Sequence, residues 1–436
     1  MLYIGVDLGT SAVKLLVMDE TGDIKKIVSK EYPLFFPHPG WSEQKPEDWF
    51  EKSMEGIKEL TAECDKSQVA GISFGGQMHG LVALDKDDKV IRPAILWNDG
   101  RTGEETEYLN EVIGKEKLSE YTANIAFAGF TAPKILWMKK HEPENFAKIT
   151  KIMLPKDYLA YKLSGSFCTD VSDASGMLLM DVKNRCWSKE MMDICGITED
   201  KLPKLYESFE VVGTLKKEVA DELGFSENVK VIAGAGDNAA AAVGTGTVGD
   251  GMCNISLGTS GTIFISSNKF GVDENNALHS FAHAFVSSGN MPRRIREYCK
   301  QTGQTVPETP GEIVCCINQS LAMKYRRELD KIQYCLNKKY DTIHMIGGGI
   351  QSKLLCQMTA NATGCRVAAG PVEATAFGNI AVQMIALGQI KDIKEAREII
   401  ERSEATCYYE PQNTEEWSQA YARYCQVTKR QEEELE

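Results

Sequence analysis

Residues 2–18 read Leu-Tyr-Ile-Gly-Val-Asp-Leu-Gly-Thr-Ser-Ala-Val-Lys-Leu-Leu-Val-Met. Leu2 to Val6 is an apolar run, Gly9-Thr10-Ser11 has turn chemistry, and Val13 to Met18 is a second apolar run. The stretch therefore predicts a strand–turn–strand unit. Its Leu-Gly-Thr-Ser at 8–11 returns at 257–260, again between two apolar runs, 252–257 and 262–266. A recurrence at so long a distance is no solenoid repeat and suits two similar domains, each opening on the same unit. Chance recurrence of four residues competes with that reading; the matched strand context favours duplication.

Working outward, Thr21-Gly22-Asp23 makes another turn before a third strand from Ile24. Pro46 opens a helix whose Phe50, Met54, Ile57 and Leu60 recur every three or four residues as one buried stripe. Strands are expected at 69–74, 80–84, 91–96 and 231–236, so strands and amphipathic helices alternate, which argues an α/β architecture. Thr309-Pro310-Gly311-Glu312 combines an N-cap Thr, a Pro at the first helical position and a Glu three residues after the cap. The helix it opens is expected to bury Ile313, Ile317, Leu321, Tyr325 and Leu329. A strand at 343–346 ends in Gly347-Gly348-Gly349, a helix follows from about Gln351, and a last amphipathic helix near Glu373 carries Phe377, Ile380, Met384 and Leu387.

At 436 residues the chain is long enough for about two to three domains and a sizeable core. Hydrophobic residues at 43% and charged residues at 25% place it among globular proteins, against a disordered or collagenous one. A net charge of −13 disfavours non-specific nucleic-acid or anionic-membrane binding, while backbone amides still permit a local phosphate site. Thirteen cysteines without a CxxC pair read as reduced thiols. With no charged leader before Asp7 and no apolar run of about 18 residues, the expected location is cytoplasmic, with no membrane or nucleic-acid partner.

Several positions can carry chemistry. Small residues at Gly9-Thr10-Ser11 let backbone amides and hydroxyls surround a phosphate, with Asp7 as a hard oxygen ligand for Mg2+ and Lys14 as a point charge. A plain β-hairpin is the competing reading. Asp237 follows the small-residue strand Ala-Gly-Ala-Gly and precedes Asn238 and a run of alanines. It is either an N-cap or a carboxylate at the carboxyl end of a strand, placed to accept a hydroxyl proton in phosphoryl transfer. Residues 75–80, Gly-Gly-Gln-Met-His-Gly, bring Gln77 and His79 beside close-approach glycines, which suits a small polyhydroxylated substrate; a structural histidine is the alternative. Trp97-Asn98-Asp99 with Arg101 is a second polar constellation, and Arg101 serves equally as an ion-pair partner. No GxxxxGK[ST] loop and no GxGxxG fingerprint occurs, which disfavours a P-loop NTPase and a Rossmann dehydrogenase.

Together these segments resemble the FGGY family of carbohydrate kinases, part of the wider sugar kinase, heat-shock chaperone and actin fold group. Residues 4–11 resemble the family's first phosphate motif, Gly236-Asp237-Asn238 its catalytic-base motif and 256–261 its second phosphate motif. Thr131 through Lys134, Trp137 and His141 fit its first signature pattern. Residues 40–44, 76–80 and 96–99 with Arg101 resemble its xylulose-phosphorylating members in particular. Residues 290–292, 306–312, 347–349 and 369–376 resemble its rhamnulose-phosphorylating members instead.

The resemblance implies an α/β fold of two ribonuclease H-like domains, of the actin, hexokinase and heat-shock chaperone type, around a central cleft. They would be a sugar-binding domain over 1–235 and a nucleotide-binding domain over 236–436. The second would be shortened near 281–290, as in a splice of two relatives, with impaired or altered activity, and would keep a third strand at 279–286. It implies ATP with Mg2+, a ketose substrate and a homodimer. Asp237 would be the general base and Asp7 would act through Mg2+. Gln77, Met78, His79, Trp97, Asp99 and Asn238 would contact sugar, and Gly9, Thr10, Ser11, Lys14, Gly258, Thr259, Gly348 and Gly349 would hold ATP. D-xylulose is the expected ketose, ahead of L-rhamnulose or L-ribulose; a non-catalytic nucleotide- or sugar-binding module of the same fold is the alternative.

Overall fold

The computed structural model describes residues 1–249, 252–257, 261–266, 291–403 and 406–433. Gly258, Thr259 and Ser260 of the second turn, the strand expected at 279–286 and the shortening expected at 281–290 lie outside the described residues. The chain forms two units. The first holds Met1–Val248 and takes the chain back at Glu373 for the helices Ala374–Ala386 and Ile393–Ser403.

The hairpin expected from residues 2–18 forms. Leu2–Leu8 (β1) runs antiparallel to Ala12–Asp19 (β2), with Leu8 opposite Val13, and Ile24–Glu31 (β3) continues antiparallel on β2. Val69–Gly76 (β4) lies parallel to β1 on its other side. Val211–Thr214 (β5) and Lys230–Gly236 (β6) complete a six-stranded sheet in the order β5-β6-β4-β1-β2-β3, with β6 parallel to β4. β1 reads as an almost continuous apolar run because both faces are covered. Ile4, Val6 and Leu8 pack with Trp49, Met54, Ile57 and Leu60 of the helix Pro46–Leu60; the last three are on the stripe its spacing predicts, whereas Trp49 is buried where Phe50 was expected and Phe50 is half-buried. Tyr3, Leu16 and Met18 pack on Phe377, Ile380 and Met384 of the helix Ala374–Ala386.

That second helix comes unusually close. A Cβ at Gly378 would lie 1.8 Å from Ala240 O, and one at Gly244 1.9 Å from Ala374 O. The alanine-rich helix Asp237–Gly244 and the helix Ala374–Ala386 thus touch backbone to backbone, which only hydrogen side chains permit at those two positions.

The second unit repeats the scheme. Met252–Leu257 (β7) and Gly261–Ser266 (β8) form an antiparallel pair, and Thr342–Ile346 (β9) and Arg366–Ala369 (β10) extend the sheet in parallel. Cys407–Tyr409 (β11) closes it antiparallel, giving the order β8-β7-β9-β10-β11. In both units a hairpin is followed by two parallel strands, the relationship that the repeated Leu-Gly-Thr-Ser predicts. The capped helix Pro310–Leu336 forms as expected: Thr309 Oγ1 accepts from Glu312 N at 3.2 Å, and Glu312 Oε2 accepts from Thr309 N at 2.9 Å.

Two local expectations change. The strand expected at 91–96 shrinks to Ala94–Ile95, because Pro93 has no N–H to give a ladder. Ile317, expected on the buried stripe, is 38% exposed, since the buried face of that helix runs through Tyr325 and Leu329 toward β9 and β7. No helix among the described residues is long and apolar enough to cross a membrane.

Candidate active site

Strand β6 delivers Asp237 to the carboxyl end of the first sheet. Near its end the register against β4 slips between Ile232 and Ala235, and Gly234 takes φ +73°. A Cβ on Gly234 would lie 1.9 Å from Phe74 O, so glycine is required both by conformation and by space. Asp237 then stands at the first position of the helix Asp237–Gly244; the N-cap is Gly236, so the capping reading of Asp237 is not realised. Asn238 donates to Asp237 Oδ1 twice, from its backbone N at 2.7 Å and from Nδ2 at 2.9 Å. The pair leaves Oδ2 outside its own bonding.

Asp7, on β1, belongs to the same neighbourhood. Burial first, then the charges of Asp237 and Glu373, push its carboxyl up to about 7 against the pull of Lys14. Burial pushes Asp237 up to about 6, opposed by the Asn238 amide. Both residues are half-buried. A desolvated carboxylate raised by the negative charges of Asp237 and Glu373 is a donor suited to a hard divalent cation, so Asp7 fits the Mg2+ role on chemistry. Lys14 is already engaged: its Nζ meets Glu373 Oε1 at 2.8 Å and Oε2 at 3.0 Å.

The turn Gly9-Thr10-Ser11 is a tight hairpin, with Gly9 N donating to Ala12 O at 3.0 Å, and it is held from outside. The Tyr32 hydroxyl donates to Gly9 O, Gln44 Nε2 donates to Thr10 O at 2.7 Å, and Trp97 Nε1 donates to Thr10 Oγ1 at 3.0 Å. Gln77 donates to Gln44 Oε1 at 3.0 Å, while its own Oε1 is buried without a hydrogen-bond partner among the described residues. Thus Trp97 and Gln77 are joined to the turn itself.

Met78 packs on Gly236, where a Cβ would approach its sulfur to 3.0 Å. His79 takes a left-handed φ of +66°, stacks on Phe130 at 4.7 Å and donates from Nδ1 to Gly176 O at 2.7 Å. Lys134, wholly buried, donates to the carbonyls of His79 and Gly129, and burial pulls its amine down to about 7.

Asp99 has a different setting. Its Oδ1 accepts from the backbone N and Nε of Arg101, and its Oδ2 from Arg101 Nη2 at 2.7 Å and Ser42 N at 2.6 Å. Arg101 lies 3.7 Å over the Trp41 ring. Every Asp99 oxygen is taken, so it is a member of a buried ion pair with Arg101 rather than an open ligand. In the second unit Gly347 and Gly349 lie against Leu257, with built Cβ distances of 2.6 and 2.5 Å, whereas a Cβ on Gly348 meets nothing within 4 Å among the described residues. Gly258 and Thr259 lie outside the described residues.

Sequence reasoning missed Glu373, Asn379 and Gln383, which come to this sheet from far along the chain. Gln383 Nε2 donates to Ile4 O at 2.9 Å, and Ser73 Oγ donates to Asn379 O at 2.8 Å. The Glu373-Ala374-Thr375-Ala376 stretch was visible, but nothing local ties it to β1.

Two units built on related sheets, with a strand-end aspartate in the first, define the class of actin-like two-domain sugar kinases. A crystal structure of a xyloylose kinase from Brucella ovis superposes with TM-score 0.84 at 31% identity, covering 98% of both chains. That of a ligand-bound xylulose kinase from Lactobacillus acidophilus gives TM-score 0.81 at 22% identity, over 98% of this chain and 97% of that one. The N-terminal domain model of the FGGY family of carbohydrate kinases matches residues 2–244 and the C-terminal domain model matches 276–387. The chain belongs to the FGGY family of carbohydrate kinases. The xylulose kinase of Escherichia coli (strain K12) is 44% identical over 283 residues, 65% of this chain and 58% of that protein. The chain thus matches a little over half the length of that relative.

Proposed function

We propose that the protein is an ATP-dependent ketose kinase that converts D-xylulose to D-xylulose 5-phosphate. The observation that carries this reading is Asp237: a desolvated carboxylate at the carboxyl end of β6, beside Asp7, with one oxygen fixed by Asn238 and the other outside that pair. The likeness to xylulose kinases, which extends over 65% of the chain, supports D-xylulose over L-rhamnulose or L-ribulose.

Asp237 takes the proton of the attacking hydroxyl. The hydroxyl oxygen then forms its bond to the γ-phosphorus as the bond to the β,γ-bridging oxygen breaks, and ADP leaves with that electron pair. Asn238 fixes which carboxylate oxygen receives the proton. Met78 and His79 border the strand end at which the sugar would lie. Thr10 and its neighbours Gly9 and Ser11 present small residues to the phosphates, held in place by Trp97 and Gln44. Mg2+, when bound through Asp7, would neutralise phosphate charge. Most of the rate gain in such a reaction comes from positioning and charge stabilisation.

ADP release measured with D-xylulose, L-rhamnulose, L-ribulose and glycerol tests the reading. Release stimulated by D-xylulose above the others is the expected result. If ATP raises the melting temperature while no sugar stimulates release, the protein is a binding module.

A further inference from the structure

Beyond Ile232, β6 loses its outer partner. β5 pairs with it from Lys230 only as far as Ile232, so the amides that follow must find acceptors elsewhere. Ala233 N donates to Glu210 O at 3.0 Å, and Gly234 N donates to Ser208 O at 3.1 Å. Gly236 N, one residue before Asp237, donates to the hydroxyl of Ser172 at 3.1 Å. A single side chain thus occupies the position of the missing ladder acceptor, where the strand turns into the helix that carries Asp237.

Ser172 is itself held. Its Oγ donates to Asp170 Oδ2 at 2.5 Å, its backbone N donates to the same oxygen at 2.9 Å, and Ser208 Oγ adds a third bond there at 2.9 Å. Asp170 Oδ1 lies 2.9 Å from Lys156 Nζ, whose side chain is 1% exposed. The same ammonium meets Asp157 Oδ1 at 2.8 Å and Asp173 Oδ2 at 3.7 Å. The two serines that receive or neighbour the stray amides of β6 therefore converge on one carboxylate oxygen, and a buried cation anchors the other. Because the donated Ser172 proton points to Asp170, its lone pairs are turned toward Gly236.

We propose that Ser172 is the positioning residue of the catalytic base: anchored by Asp170 and Lys156, it fixes Gly236 and so the place from which Asp237 acts. The proposal rests on the reading of Asp237 as base, although the anchoring itself does not. A displacement of the order of 1 Å at a reacting group costs up to about a hundredfold in rate, so the loss of one anchoring bond registers in turnover rather than in binding.

The test compares Ser172→Ala, Ser172→Thr and Asp237→Ala in the full chain. It uses steady-state kinetics with D-xylulose and ATP, thermal unfolding, and amide exchange of the peptide that contains Gly236. Ser172→Ala is expected to lower kcat about tenfold to a hundredfold with both KM values within about threefold. Exchange at Gly236 rises, and Ser172→Thr, which keeps the hydroxyl, restores kcat and exchange together. Unchanged kcat and exchange in Ser172→Ala overturn the proposal. So does a loss of kcat that follows the loss of melting temperature and is not relieved by threonine. Asp237→Ala with full activity removes the reading of Asp237, while an inactive Asp237→Ala beside a fully active Ser172→Ala removes the positioning role alone. If the parent phosphorylates none of the sugars, exchange at Gly236 still decides whether Ser172 anchors the strand end.

Discussion

Trp97 Nε1 donates to Thr10 Oγ1 at 3.0 Å, tying the segment after Ile95 to the turn between β1 and β2. The tryptophan that the family resemblance assigns to sugar and the threonine it assigns to phosphate are directly bonded. Trp97→Phe keeps the ring and deletes the donor. One such hydrogen bond is worth about 1 kcal/mol, so kcat/KM is expected to fall about fivefold, with D-xylulose and ATP affected together. Separate titrations of the two substrates check this; an effect confined to D-xylulose would mean that Thr10 holds its place without the indole.

Asp237→Asn removes the proton acceptor with little change of shape. Turnover is expected to fall about a hundredfold to ten-thousandfold, the range for loss of a general base. The parent should also show an acid limb. Asp237 works ionised, and its carboxyl is raised to about 6, so kcat/KM falls as pH drops through that value. A pH profile of kcat/KM between pH 5 and 8 measures it, and a flat profile would assign the proton to another acceptor.

Lys134 offers a stability prediction of definite sign. In the unfolded chain its amine titrates near 10.4, whereas in the fold burial lowers it to about 7. Between those values the unfolded state binds more protons, so its contribution to stability rises with pH. Below about 7 both states are protonated and the contribution is flat. Urea unfolding of the parent and Lys134→Met at pH 7, 8 and 9 is expected to show the parent gaining on the variant by about 1 kcal/mol per pH unit. Parallel pH curves would show that Lys134 stays charged in the fold.

Gly378→Ala places a methyl group 1.8 Å from Ala240 O, a contact that no rotamer relieves. The two helices must separate, and overpacking of this kind costs about 1–3 kcal/mol or more. The urea midpoint reports it. Gly388→Ala, where a Cβ meets nothing within 4 Å, is the contrasting site, although its φ of +69° carries a strain of its own.

Much of the fold was legible in the sequence because its signals are local. Apolar runs flanking Gly-Thr-Ser mark the hairpins, the spacing of Met54, Ile57 and Leu60 marks the first helix, and Thr309 with Glu312 writes a helix start into four residues. Asp237 was legible because small residues before it and alanines after it announce a strand turning into a helix. The partners of these residues were not. Glu373 takes the Lys14 ammonium across 359 positions, and Gln383 reaches Ile4 across 379. Arg101, two residues on, was legible as an ion-pair partner for Asp99, whereas Ser42, which takes one of its oxygens, is remote in sequence. Ser172 gave no local sign at all, since its role follows from where β5 stops.

The closeness of the helix Ala374–Ala386 to β1 and to the helix Asp237–Gly244 has a consequence for the order of events in synthesis. Tyr3, Leu16 and Met18 leave the ribosome long before their cover, Phe377, Ile380 and Met384. Until it arrives one face of the first sheet is bare, and the strand end with Asp237 lacks the backbone contact at Gly378 that backs its helix. The first unit therefore finishes folding only after most of the second has been made, so a nascent chain carries this apolar face through the synthesis of the second unit, with chaperone binding expected there.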